Sequence, residues 1–217
     1  MTALYLVRHG QTENNVLGKT QGFNDSPLTA AGIEQACALG EAFKDSEIHF
    51  DAAYASDLKR AAITRDLILD TMDHEKVNEI PRYNMPSLRE VNWGDLSGKD
   101  SSVFENVDWD RDYEKYHGES FEQVMIRSIQ SLLLIVKRHP DQNVLVVAHG
   151  WNRLSTWYAL SKREGVDWPD GDVHMHNGSI LILEGDGEHL EIQEAIMPGF
   201  WNSVSQTCEG DSEEISA

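Results

Sequence analysis

Cysteine is nearly missing from this chain: Cys37 and Cys208 are the two among 217 residues. One lies in a helical apolar pattern and the other in an acidic tail, with neither a disulfide framework nor a metal-type spacing between them. Cys37 is expected to be a small core residue without chemistry. Long apolar runs are missing as well. Nothing approaches the roughly 20 apolar residues that span a bilayer, and no segment repeats along the chain. Basic residues are scarce, 18 against 37 acidic ones, for a formal net charge of −19. That balance argues against nucleic acid or an anionic membrane as a partner. The N-terminus enters apolar sequence with no basic segment ahead of it, so no secretory signal is expected and the cytoplasm is the expected compartment.

What is present suits a folded enzyme of ordinary size. Hydrophobic residues make up 40% and charged residues 25%, the composition of a globular protein with a sizeable core. Leu4 to Val7 and Asn143 to Ala148 are continuous apolar runs, read as strands buried on both faces of a parallel-type sheet. Phe50 to Ser56 is a third strand, followed by Asp57 as a helix N-cap. Helical periodicity is expected from Thr29 to Asp45, with Ile33 on its apolar stripe, from Leu58 to Met72, from Glu119 to His139, and from Trp151 to Leu160. Pro81 and Pro86 punctuate a segment expected to hold an edge strand or two ending near Leu88 and Arg89. Residues 178–184 and 189–195 read as two closing strands around the turn GDGE, which makes the sheet mixed. The class is α/β. Residues 1–204 are expected to form one domain, with a partly helical insertion at about 94–118 over the site, and 205–217 an acidic tail without order.

The stretch ALYLVRHGQTENN organises the rest. Its strand ends in Arg8, His9 and Gly10, where open α/β sheets place their ligands. Taken alone the pair is open: Arg8 suits phosphate or carboxylate, and His9 could be a nucleophile, a general base or a metal ligand. The second buried strand also ends in a histidine and a glycine, His149 and Gly150.

The string RHGQTENN, with LGKTQG and DSPLTAAG after it, SDLKRA at 56–61, SLREVNWG at 87–94 and VVAHG at 146–150, resembles the histidine phosphatase superfamily, the phosphoglycerate mutase-like proteins. The resemblance runs from Leu4 to about Ile182. It implies a three-layer α/β/α sandwich with a mostly parallel mixed sheet, and phosphoryl transfer through a phosphohistidine on His9. It further implies that Arg8 and Arg60 hold the phosphoryl oxygens and that His149 adds a hydrogen bond. Glu90 is implied as the general acid, a role that calls for a carboxyl buried beside the incoming dianion, with Asp95 the nearest alternative. Thr12 and Asn15 are expected to touch the phosphoryl group or orient its holders. Lys19, Gln21, Gly22 and Gly150 are expected to border the phosphate or substrate, and His176 and Asn177 to fall near the site. In so acidic a chain, Arg8, Lys19 and Arg60 are the cations available to gather at one place.

His174 and His176 form an isolated H-x-H, a surface turn rather than a metal site. Neither metal nor cofactor is expected. Between 94 and 118 the chain has Lys99, Arg111 and Lys115 against seven acidic residues, where mutases of the family carry a basic cluster. The resemblance therefore points to a metal-independent phosphomonoesterase of the histidine acid phosphatase type acting on a small phosphate ester. A phosphoglycerate mutase and an inactive phospholigand-binding protein are the alternatives. The insertion's carboxylates are expected to disfavour highly anionic esters, and Phe104, Trp109, Tyr113 and Tyr116 to be buried as core residues or, as the other reading, to offer an aromatic wall.

Overall fold

Two apolar strands far apart in sequence lie side by side, and the rest of the architecture follows from that pairing. The computed structural model describes residues 1–72, 77–164 and 176–196. In chain order the elements are β1 (Thr2–Arg8), α1 (Glu13–Val16), α2 (Ala30–Asp45), β2 (Ala52–Ala55), α3 (Lys59–Met72), β3 (Arg82–Asn84), α4 (Trp109–Asp112), α5 (Phe121–Arg138), β4 (Asn143–Ala148), α6 (Gly150–Glu164), β5 (Ile180–Gly185) and β6 (Leu190–Ile196). The sheet order is β3-β2-β4-β1-β5-β6. The pairs β3/β2, β2/β4 and β4/β1 are parallel, and the pairs β1/β5 and β5/β6 antiparallel. The register places Arg8 opposite Ala148, so His9 and His149 leave the sheet together.

Alternation along the strands sorts the core into two layers. On one face Val7, Leu145 and Val147 pack with Phe43 of α2 and Ile68 and Leu69 of α3. On the other, Leu4, Leu6, Val144 and Val146 pack with Leu132 and Ile135 of α5 and Trp157 and Leu160 of α6. This is the expected α/β/α sandwich. A third, smaller cluster joins Val91, Trp93 and Leu96 to Val124. No helix of the described residues is long and apolar enough to cross a membrane.

Four local expectations need correction. Ile33 is exposed, and Gly32 takes the buried position beside Ala36 and Leu39. A Cβ on Gly32 would lie 2.0 Å from the Gln11 carbonyl oxygen, so the loop after β1 rests directly on the α2 backbone. Cys37 is half-buried rather than a core residue. Asp57 does not cap α3. Its carboxylate takes the Arg89 fork at 2.7 and 2.5 Å, a charge-assisted bidentate pair stronger than a backbone cap. Asp25 caps α3 instead, accepting from the backbone amides of Lys59 and Arg60. Finally, the edge strand β3 ends at Asn84, because Pro86 has no N–H to extend the ladder and opens a 3-10 turn, Pro86–Leu88. The insertion is built mainly of such turns, Gly94–Leu96, Ser101–Asn106 and Glu114–Tyr116, around the short α4. Cys208 and the tail at 205–217 lie outside the described residues.

Candidate active site

The two histidines meet at the carboxyl ends of β1 and β4. The His9 amide donates to the Ala148 carbonyl at 3.0 Å, and the two imidazole centroids are 5.2 Å apart. Nδ1 of His9 lies 2.7 Å from the Gly10 carbonyl oxygen. A carbonyl can only accept, so Nδ1 carries the proton and Nε2 keeps its lone pair. Arg60 Nε donates toward that Nε2 at 3.3 Å. Burial, then Arg60 and Arg8, push the basicity of His9 well below the usual histidine range. Burial, then Arg60, His9, Arg8 and Arg127, do the same to His149. Both rings are neutral at neutral pH. His149 is fully buried, and neither of its ring nitrogens has a hydrogen-bond partner among the described residues.

Arg60 is held by a built cradle. It is 1% exposed, and Nη1 reaches the Asn24 carbonyl at 2.8 Å and Asp25 Oδ1 at 2.9 Å, while Nη2 reaches the Gly22 carbonyl at 2.8 Å. Burial lowers its affinity for the proton, opposed by Glu90 and Asp25, and a guanidinium stays charged under such pressure. Gly22 presents its carbonyl from a left-handed conformation, φ +54°, with Ser97 and Trp93 where a Cβ would point. Glu90 is 8% exposed. Its Oε1 accepts from the amides of Val91 at 3.0 Å and Trp151 at 3.2 Å, the second at the N-terminus of α6.

His9, Arg60 and Glu90 border a cleft of about 250 Å³, and the buried His149 stands behind His9 without lining it. Of the expected residues, Arg8, His9, Asn15, Lys19, Gln21, Gly22, Arg60, Glu90 and Gly150 line it. Thr12 lies beneath. It is fully buried and caps α1, exchanging hydrogen bonds with Asn15, so it orients Asn15 rather than facing the cleft. Asn177 acts in the same layer, donating to the His9 carbonyl at 2.8 Å and to Asn15 Oδ1 at 3.3 Å. Asp95 is placed elsewhere. Its largely exposed carboxylate pairs with His117 at 2.8 Å, which leaves Glu90 as the carboxyl of the cleft. From the insertion, Ser101 and Phe104 line the cleft. Among the described side chains neither the insertion's carboxylates nor its cations do, and Asp100 stands beside the cleft, near enough to Lys19 for the two charges to act on each other. Tyr113 and Tyr116 pack into the small third cluster, the core placement of the two readings given for them. The side chain of Trp109 lies outside the description, as does His174.

The wall is made by residues the sequence reading passed over. Trp93 and Trp151 line the cleft beside Phe104, with Trp93 meeting Phe104 at 4.6 Å and Trp151 at 5.1 Å between centroids. Thr20 lines it too. Trp93 follows Glu90 by three positions and Trp151 follows His149 by two, so proximity to those motifs was the available signal. Among the described residues no group of three His, Cys, Asp or Glu side chains could hold a metal ion.

A mixed sheet whose adjacent strand ends bring together two neutral histidines and Arg8, with the buried Arg60 reaching in from α3, makes an α/β site suited to an anionic group. The family model for the histidine phosphatase superfamily (branch 1) matches residues 4–196, and the chain belongs to that superfamily. It is 36% identical over 210 residues to a metal-independent phosphoserine phosphatase of Arabidopsis thaliana, covering 94% of this chain and 83% of that one. It is 35% identical over 158 residues to a 2,3-bisphosphoglycerate-dependent phosphoglycerate mutase of Bartonella henselae, covering 68% and 75%. Among solved structures, a phosphoserine phosphatase variant from Entamoeba histolytica in complex with phosphoserine superposes with a TM-score of 0.70 at 26% identity, covering 92% of this chain and 98% of that one.

Proposed function

We infer that this protein is a metal-independent phosphatase of the histidine acid phosphatase type, hydrolysing small phosphate monoesters through a phosphohistidine on His9. The observation that carries the reading is the neutral, buried imidazole of His9, with Nε2 unprotonated between Arg60, Arg8 and His149 and facing a cleft that also holds Glu90. Nε2 attacks phosphorus as the bond to the leaving oxygen breaks, and Glu90 gives that oxygen its proton. Arg8, Arg60 and His149 carry the charge that spreads over the phosphoryl oxygens. Water then attacks the phosphohistidine, Glu90 takes a proton from it, the P–N bond breaks, and neutral His9 and inorganic phosphate are left. Asn15, Gln21 and Lys19 border the substrate, and Gly150 and Gly22 bring backbone close to it.

The Arabidopsis and Entamoeba relatives support hydrolysis, and the Bartonella relative keeps mutase activity as the second reading. Against that reading, none of the described cations of the insertion lines the cleft. Arg111 is spent on Asp108, and Lys115 lies over the Tyr116 ring. A panel of phosphate esters scored for released phosphate tests the proposal, with 3-phosphoglycerate also followed for isomerisation with and without 2,3-bisphosphoglycerate. Phosphate release should dominate; isomerisation faster than release would make the protein a mutase. Prior dialysis against a chelator should leave turnover unchanged. Loss of activity that zinc or magnesium restores would show the site misread.

A further inference from the structure

The segment that carries Glu90 has no regular structure between the 3-10 turns ending at Leu88 and beginning at Gly94. Its backbone carbonyls therefore have no ladder to join, and something else must satisfy and fix them. Arg127 does so from α5. All five of its N–H groups find acceptors: Nη1 reaches the carbonyls of Ser87 at 3.1 Å and Arg89 at 2.6 Å, and Nη2 the carbonyl of Glu90 at 2.8 Å. The remaining two, on Nε and Nη2, take the Glu119 carboxylate at 2.9 Å each. Glu119 in turn accepts from the Asn92 amide at 2.8 Å and donates its own amide to the Asn92 carbonyl at 2.9 Å. One guanidinium thus binds the carbonyl of Glu90 and two carbonyls before it, and its counter-ion grips the chain two residues after. The guanidinium also lies close enough to His149 to help hold that ring neutral.

We propose that Arg127 is the positioning residue of the general acid: with Glu119 as its counter-ion, it fixes the Glu90 backbone so that the carboxyl stands over the leaving-group oxygen. The inference rests on the assignment of Glu90 as acid. It has a signature that loss of stability alone lacks: in kcat/KM, which reports the steps up to the phosphohistidine and not the shared hydrolysis in which Glu90 acts as base, a displaced acid matters only when the leaving oxygen is basic. The experiment compares wild type, Arg127→Met, Arg127→Lys, Glu119→Gln and Glu90→Gln on glycerol phosphate and nitrophenyl phosphate, well below each variant's melting temperature. Arg127→Met should raise the ratio of aryl to alkyl kcat/KM at least tenfold, in the same sense as Glu90→Gln, and add little in the Glu90→Gln background. Arg127→Lys keeps the charge but not the planar fork and should shift the ratio in the same direction. Should Arg127→Met fail to fold by circular dichroism, Glu119→Gln, which weakens the counter-ion but leaves the guanidinium in place, carries the test with a smaller rise. Equal losses on both esters, or an unchanged ratio in Glu119→Gln where Glu90→Gln shifts it, overturn the inference alone. An unshifted ratio in Glu90→Gln itself overturns the acid assignment and this inference with it.

Discussion

Arg60 and Arg111 carry the same charged group in two unlike regions. At the sheet end Arg60 is 1% exposed and held by two carbonyls and Asp25. In the insertion the Arg111 side chain is 84% exposed and paired with Asp108 three residues before it. In the dry region burial first, and then the charge of Arg60, depress the basicity of both histidines. Charge in the wet region is screened and exchangeable. The lesson concerns the net charge of −19: a protein this acidic can handle an anion because the few charges that count are buried, while most of the carboxylates among the described residues are exposed.

The largest effect that would test this contrast is at His9. His9→Ala should lower turnover by about 10³-fold or more while leaving circular dichroism and melting unchanged or improved, since it removes the covalent route. Retention of more than a few percent of wild-type turnover on nitrophenyl phosphate would remove His9 from the nucleophile's role. An intermediate effect is expected from pH. The unfolded chain protonates its histidines near the ordinary value of 6.5, whereas folded His149 takes a proton only well below it. The unfolded state then binds more protons, so this contribution to stability is complete above about pH 6.5 and is lost as pH falls through that value toward the depressed one. His149→Gln should therefore lose melting temperature less steeply than wild type between about pH 7 and 5; parallel slopes would show that the buried ring is not held neutral. The smallest effect belongs to the insertion. Arg111→Ala should change kcat/KM less than about twofold and stability by less than about 0.5 kcal/mol. A tenfold loss of activity would mean that this region closes on the substrate, and the contrast would fail.

Legibility in the sequence followed the same divide. Continuous apolar runs announce β1 and β4, each ending in His-Gly, but that the two ends converge is legible only through the resemblance to the superfamily and its fold. Helices α2, α3, α5 and α6 showed through their 3.6-residue periodicity. What stayed hidden depended on contacts between distant, irregular segments. Asp25 reads as a turn residue, yet it caps α3 and pairs with Arg60 more than 30 positions away. Arg127 reads as a charge on an amphipathic helix, and three of its five acceptors are carbonyls of the segment around Glu90, about 40 positions away, the other two being the Glu119 carboxylate oxygens. Trp93 and Trp151 were passed over because aromatic residues next to a motif look the same whether they face a core or a cleft. Asp57 misled for the opposite reason: its local cap pattern was sound, but the Arg89 fork outcompeted it.

The pairing of Ala3 with Asn143 also governs the order in which this molecule comes into being. The two partners are 140 positions apart, so no N-terminal portion of the chain can assemble the two histidines. During synthesis at roughly 5–20 residues per second, β1 waits on the order of 7–30 s for its central neighbour to be made. Through that interval a short apolar strand stands without either of its final partners, β4 or β5. Parallel pairing over so long a separation is also slow to nucleate. The arrangement that keeps the finished site dry therefore makes it one of the last parts of the protein to form, and leaves its first strand the segment most in need of protection while the ribosome finishes.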